Sequence, residues 1–349
     1  MIFTSDNAAG IAPELLAAIA KASEGAAPAY GADPWSERVE ALVRELFEAP
    51  EARVFLVATG TAANALALAS LCPPWSAIYG HERSHIERDE CGAPEFYSGA
   101  KLTLIGGDQA RISPEGLRAR IRIGTSGGVH QVGNGALSIS QATELGSLYS
   151  LEDLRTLTTI AHEAGMGVHM DGTRFANALA RTGASPAEMS WRAGADILCL
   201  GATKNGAMAA EAVILFDPAR AEEFERRRKR GGHLFSKMRF VAAQMEAWLT
   251  DGLWLRLASH ANGMAERLAE GLRARGVPVL NELGANILFA EITYGLHRRL
   301  TAAGARYYIE PPSQSETGPE HAPLTIRLVC SHETTEAEVD ALLRAFGGG

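Results

Sequence analysis

Three short stretches of this chain carry reactive side chains at the ends of buried-looking apolar runs. In "GADILCLGATKNG" (194–206) the run Ile197–Leu200 is followed closely by Lys204. In "VHMDGTRFANA" (168–178) Asp171 ends another run, with Arg174 just behind it. In "LVATGTAANALALASL" (56–71) a strand-like run passes through Gly60 and Thr61 into a helical segment. Each is ordinary alone: a loop lysine, an Asp–Arg pair, a helix cap. Together they offer an amine able to bond an aldehyde, a carboxylate able to keep a ring nitrogen protonated, and helix-start amides able to hold a phosphate. Those are the fixtures that pyridoxal 5'-phosphate needs. A nucleotide-dependent dehydrogenase would show G-x-G-x-x-G after an early strand, and the chain has none.

Two other motifs invite chemistry. "HERSH" (81–85) fits the H-E-x-x-H pattern of a zinc hydrolase, with His81 and His85 as ligands and Glu82 as base. That reading needs one helix carrying both imidazoles, whereas the motif follows "AIYG", a strand end, and precedes the turn-rich "CGAPEFYSGA"; no metal is expected. "GTSGG" (124–128) fits G-x-S-x-G, but a nucleophile elbow requires strand, sharp turn and helix. Here "VHQVGNG" follows, so Ser126 is expected in a flexible glycine-rich loop.

The elements that must position these residues alternate. Apolar runs at 53–59, 76–80, 101–105, 136–140, 167–170, 196–200 and 212–216 read as strands buried on both faces. Helix-start signals separate many of them: Asp33 with Pro34, Ser150 with Asp153, Ser185 with Glu188, and Thr335 with Glu338. Such alternation predicts an α/β fold with a mostly parallel seven-stranded sheet and helices on both faces. Ligands of such sheets bind beyond the strand C-termini. After a long helix over 252–276, "ANILFAEI" and "TIRLVCS" read as strands flanking a short helix, with the polar stretch 311–323 between them. The expected division is therefore a large α/β domain over 1–250, N-terminal segment included, and a smaller α+β domain over 251–349.

Composition narrows the class. A net charge of −8 argues against a dedicated nucleic-acid binder, and "ERRRKR" (225–230) reads as a solvated helix face. Four cysteines without paired spacing suit a reducing compartment, and no window is apolar enough for a membrane span. With no signal-peptide pattern at the N-terminus, a cytoplasmic location is expected.

The ordered pieces "TSDNAAG", "YGADPW", "TGTAAN", "ERSHIE", "HMDGTRFANA", "GATKNG", "SKMRF" and "TIRLVCS" resemble the low-specificity L-threonine aldolase family, of the aspartate-aminotransferase-like fold (pyridoxal-phosphate fold type I). The resemblance runs over nearly the whole chain. It implies retro-aldol cleavage of L-threonine, L-allo-threonine and related β-hydroxy-α-amino acids such as phenylserine to glycine and an aldehyde. It also implies a homodimer or homotetramer with the active site at the subunit interface. By the same resemblance Lys204 is the covalent anchor, Asp171 the ring-nitrogen partner, and Gly60 and Thr61 the phosphate ligands. His85 stacks on the ring, which accounts for "HERSH" without zinc, and His130 lies near the substrate hydroxyl; either histidine is a candidate base. Arg174 and Arg327, with Ser5 assisting, hold the substrate carboxylate or the cofactor's phenolic oxygen. Arg239 reaches the phosphate of a neighbouring subunit, and Tyr30 lies near that interface. Two departures stand out: Thr59 where many relatives carry serine, and a long 311–323 connection. Another lyase or a transaminase of the same fold is the close competitor, and the zinc hydrolase the one from a different class.

Overall fold

The computed structural model describes residues 1–347. All seven predicted runs become strands of one sheet: β1 Arg53–Val57, β2 Ser76–His81, β3 Lys101–Ile105, β4 Gly133–Ser140, β5 Gly167–Gly172, β6 Ile197–Gly201 and β7 Glu211–Leu215. Their order is β1-β7-β6-β5-β4-β2-β3, and only β7 runs antiparallel to its neighbours. Register pairs Ser140 with Asp171 and Asp171 with Cys199, so the C-terminal ends of β4, β5 and β6 lie side by side. Asp171 and the turn carrying Lys204 thus share one edge of the sheet, as the strand-end rule predicts.

The helix Gly60–Leu71 passes beneath this edge with residues 62 to 71 all buried. Its Ala/Leu composition is apolar all round, as a helix enclosed by protein must be. Thr59 caps it, the hydroxyl accepting from the Ala62 N–H at 3.2 Å. A serine would make the same bond, so the Thr59 departure leaves the start of this helix intact.

A second sheet, β8 Ile287–Thr293, β9 Tyr308–Ile309 and β10 Pro323–Val329, is antiparallel in the order β8-β10-β9. It has its own apolar cluster, built with the helices Leu253–Ala274, Tyr294–Ala302 and Glu336–Phe346. Phe3 is fully buried in that cluster, its N–H donating to Arg306 O at 2.8 Å and its carbonyl accepting from the Val329 N–H at 2.9 Å. The N-terminal segment therefore begins in the second core and crosses toward the first, carrying Ser5 and Asp6 with it.

One expected loop is a helix. Gly124–Ser126 finish the helix Pro114–Ser126, which Ser113 caps by accepting from the Gly116 N–H. Glycines at its two ends hid it, and at Gly124 the reason is packing: a side chain there would strike the Asn134 amide and meet the Tyr79 hydroxyl at 3.0 Å. Ser126 ends that helix with its hydroxyl near Ile123 O, and no strand feeds it, so it is no nucleophile elbow. The basic run lies on the helix Ala221–Arg230, where Arg226 and Arg227 pair with Glu222 and Glu223 one turn back, as a solvated face should. Arg228 alone turns inward, over the Phe55 ring and donating to Leu56 O.

Candidate active site

Lys204 sits on a tight turn, Thr203–Asn205, between β6 and β7. The turn is pinned from several sides. Ala210 N–H donates to Thr203 Oγ1 at 3.2 Å, Asn205 donates to Trp254 O at 2.8 Å, and Trp248 Nε1 donates to Asn205 O at 3.1 Å. Gly206 follows at φ 102°, a left-handed conformation that glycine alone takes without strain. The amine is partly buried; burial first, then the Arg174 charge, lowers its pKa, while Asp6, Asp171 and Glu211 oppose that. A lysine so placed keeps more of its nucleophilic neutral form than a surface lysine does.

Asp171 lies at the end of β5 and is buried. It accepts from the Thr173 N–H at 3.0 Å and from Asn64 Nδ2 at 2.9 Å. Burial alone would raise its pKa, but the His85 charge and the Thr173 N–H hold it below the ordinary value, so it stays ionised. His85 opens the short helix His85–Arg88 just after β2. Its Nδ1 lies 2.8 Å from Glu90 Oε1, and its backbone N–H donates to Glu144 Oε1 at 2.8 Å. Burial works against the charged ring, yet Glu90 and Asp171 carry the His85 pKa above its usual value.

The third part comes from the N-terminal segment. Asp6, buried, takes a bidentate grip on Arg174, from Nε at 3.1 Å and Nη2 at 2.8 Å, and also accepts from Asn286. The ordinary alternative, an ion pair between Asp171 and Arg174, does not form; Arg174 pairs with Asp6 instead. Arg327, on β10, donates to Thr4 O at 3.4 Å, and the Arg174 and Asp6 charges bear on it. Ser5 caps the turn Asp6–Ala8, its hydroxyl accepting from the Asn7 N–H. Two guanidinium groups, Arg174 at the start of the helix Phe175–Thr182 and Arg327 on β10, thus share the influence of a single buried aspartate. Replacing Asp6 with alanine leaves Arg174 buried without its counter-ion and is expected to cost about 3–5 kcal/mol, read as a fall in melting temperature. Because its neighbours hold Asp6 below its ordinary 3.8, this contribution is present at neutral pH and fades as pH falls below about 4. A melting temperature unchanged at pH 7 would refute the assignment.

Of the residues expected from sequence, the fold brings Lys204, Asp171, His85, Gly60, Thr61, Arg174, Arg327 and Ser5 to one region. His130 is not among them. It ends the turn Gly128–His130 before β4 begins, whereas Asp171 is level with Ser140 at the opposite end. An eight-residue strand separates the two edges by about 25 Å, so within one protomer His130 cannot serve this Lys204. Arg239 donates to Gly25 O, and the Tyr30 ring lies under the Lys229 amine at 4.9 Å; neither bonds to the cluster in its own protomer.

The zinc reading fails on geometry. His81 ends β2, accepting from the Arg83 N–H at Nδ1 and facing Gly107 O with Nε2, so both ring nitrogens are engaged. Among the described residues the one group spaced to hold a metal is His85, Glu90 and Asp171, without His81 or Glu82.

Sequence reasoning missed Asp6, Asn64, Glu90, His169, Glu144 and Glu211. Asn64 sits one turn inside the helix begun by Gly60, where a polar residue in an Ala/Leu run was the available signal. Glu211 lies buried at the start of β7 opposite Gly201, and burial pushes its carboxyl up to about 7.

The donors present fit pyridoxal 5'-phosphate. The N–H groups of Gly60 and Thr61 belong to a first helical turn and have no intrahelical partner to lose. A side chain built at Gly60 would meet only Thr173 Oγ1, at 3.7 Å, so the cradle is open. An ionised carboxylate and an amine of lowered pKa complete the set at neighbouring strand ends.

The description "beta-eliminating lyase" fits residues 3–294 of the chain. The chain is 42% identical to a low specificity L-threonine aldolase of Pseudomonas aeruginosa over 308 residues, 88% of each protein. It is 40% identical to one from Pseudomonas sp. (strain NCIMB 10558), covering 97% of this chain and 95% of that one. Among solved structures, a Leishmania major threonine aldolase superposes with a TM-score of 0.91 at 26% identity, over 99% of this chain and 98% of that one.

Proposed function

The chain belongs to the beta-eliminating lyase family, among its low-specificity L-threonine aldolases, and from that premise we propose that it cleaves L-threonine, L-allo-threonine and aryl analogues such as phenylserine, reversibly, to glycine and an aldehyde. It is a carbon–carbon lyase that uses pyridoxal 5'-phosphate. The observation that carries this reading is the convergence of Lys204, Asp171 and His85 at one sheet edge, faced by Arg174 and Arg327 from two elements.

When bound, the cofactor supplies an aldehyde for a lysine amine and an electron-poor ring that accepts the electron pair of the breaking bond. Lys204 Nζ is the anchor, its nucleophilicity favoured by burial. Asp171 stays ionised and holds a proton on the ring nitrogen. The N–H groups of Gly60 and Thr61 hold the phosphate at the helix start. Arg174, whose Nε and Nη2 are taken by Asp6, offers Nη1, and Arg327 is the second clamp. Their target is the substrate carboxylate, which sets the Cα–Cβ bond in the orientation that breaks. The alternative target is the cofactor's phenolic oxygen.

His85, beside Asp171 and Lys204, would lie against the bound cofactor, and its Nε2 takes the β-hydroxyl proton as Cα–Cβ opens. His130, remote from this Lys204, serves only across a subunit interface; Arg239 and Tyr30 fit the same role, which supports a homodimer or homotetramer. Glu310, paired with Arg83 at 3.6 Å, immediately precedes the 311–323 stretch and anchors its start close to the His85 segment, so that stretch borders substrate access.

As a base His85 must be neutral, so kcat/KM should fall on the acid side with a limb above pH 6.5, in line with its raised pKa. Replacing His85 with asparagine should lower kcat by about 10^2- to 10^4-fold and abolish that limb; an unchanged pH profile would overturn the role. Substrate breadth is tested by comparing kcat/KM for L-threonine, L-allo-threonine and phenylserine, and by offering glycine with benzaldehyde. Activity on all three with phenylserine formed in reverse supports the reading; strict selectivity for one diastereomer refutes the breadth.

A further inference from the structure

His85 does not stand alone. Its Nδ1 meets Glu90 Oε1 at 2.8 Å, and the same oxygen accepts from Asn64 Nδ2 at 2.8 Å. The other hydrogen of that Asn64 nitrogen goes to Asp171 Oδ2 at 2.9 Å. Asn64, Glu90 and Asp171 are all buried, while the His85 side chain keeps 31% of its surface open.

The protons of this chain of contacts can be counted. Burial pushes the Glu90 carboxyl up, opposed by its bonds to His85 and Asn64. Ionised, Glu90 and Asp171 can only accept, so they fix the Asn64 amide with its nitrogen toward both, whereas the flipped amide would set an oxygen against two carboxylates. Asn64 Oδ1 must then accept, and His169 Nε2 lies 3.1 Å from it. His169 therefore carries its proton on Nε2, and its Nδ1 accepts from Ser138 Oγ at 2.9 Å. Burial lowers the His169 pKa to about 4, so this ring is neutral, as the count requires. At the other end Glu90 Oε1 accepts, so His85 carries a proton on Nδ1 and presents Nε2 outward.

We propose that Glu90 and Asn64 are positioning residues that lock the His85 ring in one tautomer, Nδ1–H toward Glu90 and Nε2 toward the reacting group, and tie it to Asp171. This deepens the aldolase reading and rests on it for the role of Nε2. One amide links Asp171, which would hold the proton on the cofactor nitrogen, to the carboxylate that orients the base, so the two sites share one electrostatic unit. Charges face His85 from every side: Glu90 within its own segment, Asp171 from β5, Glu144 from the loop after β4, and Lys204 from the turn after β6. Arg83 and Arg88, beside it in sequence, turn away toward Glu310. Glu90 is the one of these that bonds the ring itself.

The test is Glu90→Gln, which keeps the shape and an acceptor oxygen but removes the charge. Loss of an orienting carboxylate behind a functional imidazole is expected to lower kcat by about 10- to 100-fold with KM nearly unchanged. The lost negative charge also makes His85 easier to deprotonate, so the acid limb of kcat/KM should move down by about one pH unit. The second readout needs no turnover: NMR titration of the His85 ring in the full-length cofactor-free chain, its signal assigned with His85→Asn, should show the same downward shift. If Glu90 were merely structural, the glutamine would hold the ring equally well, and neither limb nor NMR midpoint would move; that result overturns the proposal. Should Glu90→Gln fail to fold, Glu90→Asp keeps the charge at shorter reach. It should retain the wild-type limb at reduced kcat, and a limb displaced in Glu90→Asp would likewise overturn the proposal. Full activity in His85→Asn would instead sink the reading of His85 as base, while leaving the Glu90 titration to stand or fall by itself.

Discussion

Replacing Lys204 with alanine should reduce L-threonine cleavage by at least about 10^4-fold, some 5 kcal/mol of transition-state stabilisation, and should abolish the visible absorbance of the lysine-linked cofactor. The size of the effect follows from the chemistry of the amine. Without it there is no covalent anchor, and no nearby group replaces it. Asp6, Arg174, Asp171 and Glu211 surround the position, and none is an amine. The fold should survive. The turn is pinned by Thr203, Asn205 and Gly206 rather than by the lysine, and exchanging a partly buried amine for a methyl group removes a desolvation cost. Activity, absorbance and thermal melting on one sample separate a chemical loss from unfolding. Loss of both signals with a melting temperature within a few degrees of wild type is the expected result; retained turnover would refute the role of Lys204.

Replacing Asp171 with asparagine is expected to leave the cofactor attached and yet cut kcat by about 10^3-fold. The asparagine fills the same volume and can still accept from the Thr173 N–H, so the edge of β5 keeps its shape. What disappears is the fixed negative charge that keeps the ring nitrogen protonated, and with it the pull on the electron pair of the breaking bond. The pair of variants is diagnostic: Lys204→Ala loses colour and activity, Asp171→Asn loses activity with colour retained. The same substitution removes a charge that raises the His85 pKa, so any residual activity should show its acid limb at lower pH than wild type.

Much of the fold was legible because it rests on local pattern. Seven apolar runs separated by capped helices made the large sheet readable, and the strand-end rule set Gly60, Asp171 and Lys204 on one edge. The helix Pro114–Ser126 was not legible, because Gly124 answers to the approach of Asn134 from another element. The site was half legible for a related reason. Residues that act through their own strand end announce themselves by position. Asp6 and Asn64 act through partners far away in the sequence, Asp6 across 168 positions and Asn64 across 107, and a polar residue in an Ala/Leu run was the one local sign of Asn64. Glu90 acts on His85 five positions back, but no helix or strand periodicity sets the two face to face. His130 shows the converse: the resemblance sets it near the substrate hydroxyl, whereas the fold puts it at the opposite edge of the sheet from Asp171.

The most direct test of the central claim is to count products. Purified protein loaded with pyridoxal 5'-phosphate is given L-threonine, and glycine, acetaldehyde, ammonia and 2-oxobutanoate are measured in the same sample. Retro-aldol cleavage predicts glycine and acetaldehyde in equal amounts, with no ammonia and no oxo acid. Ammonia and 2-oxobutanoate without glycine would mean that these residues break a different bond, and would contradict the account.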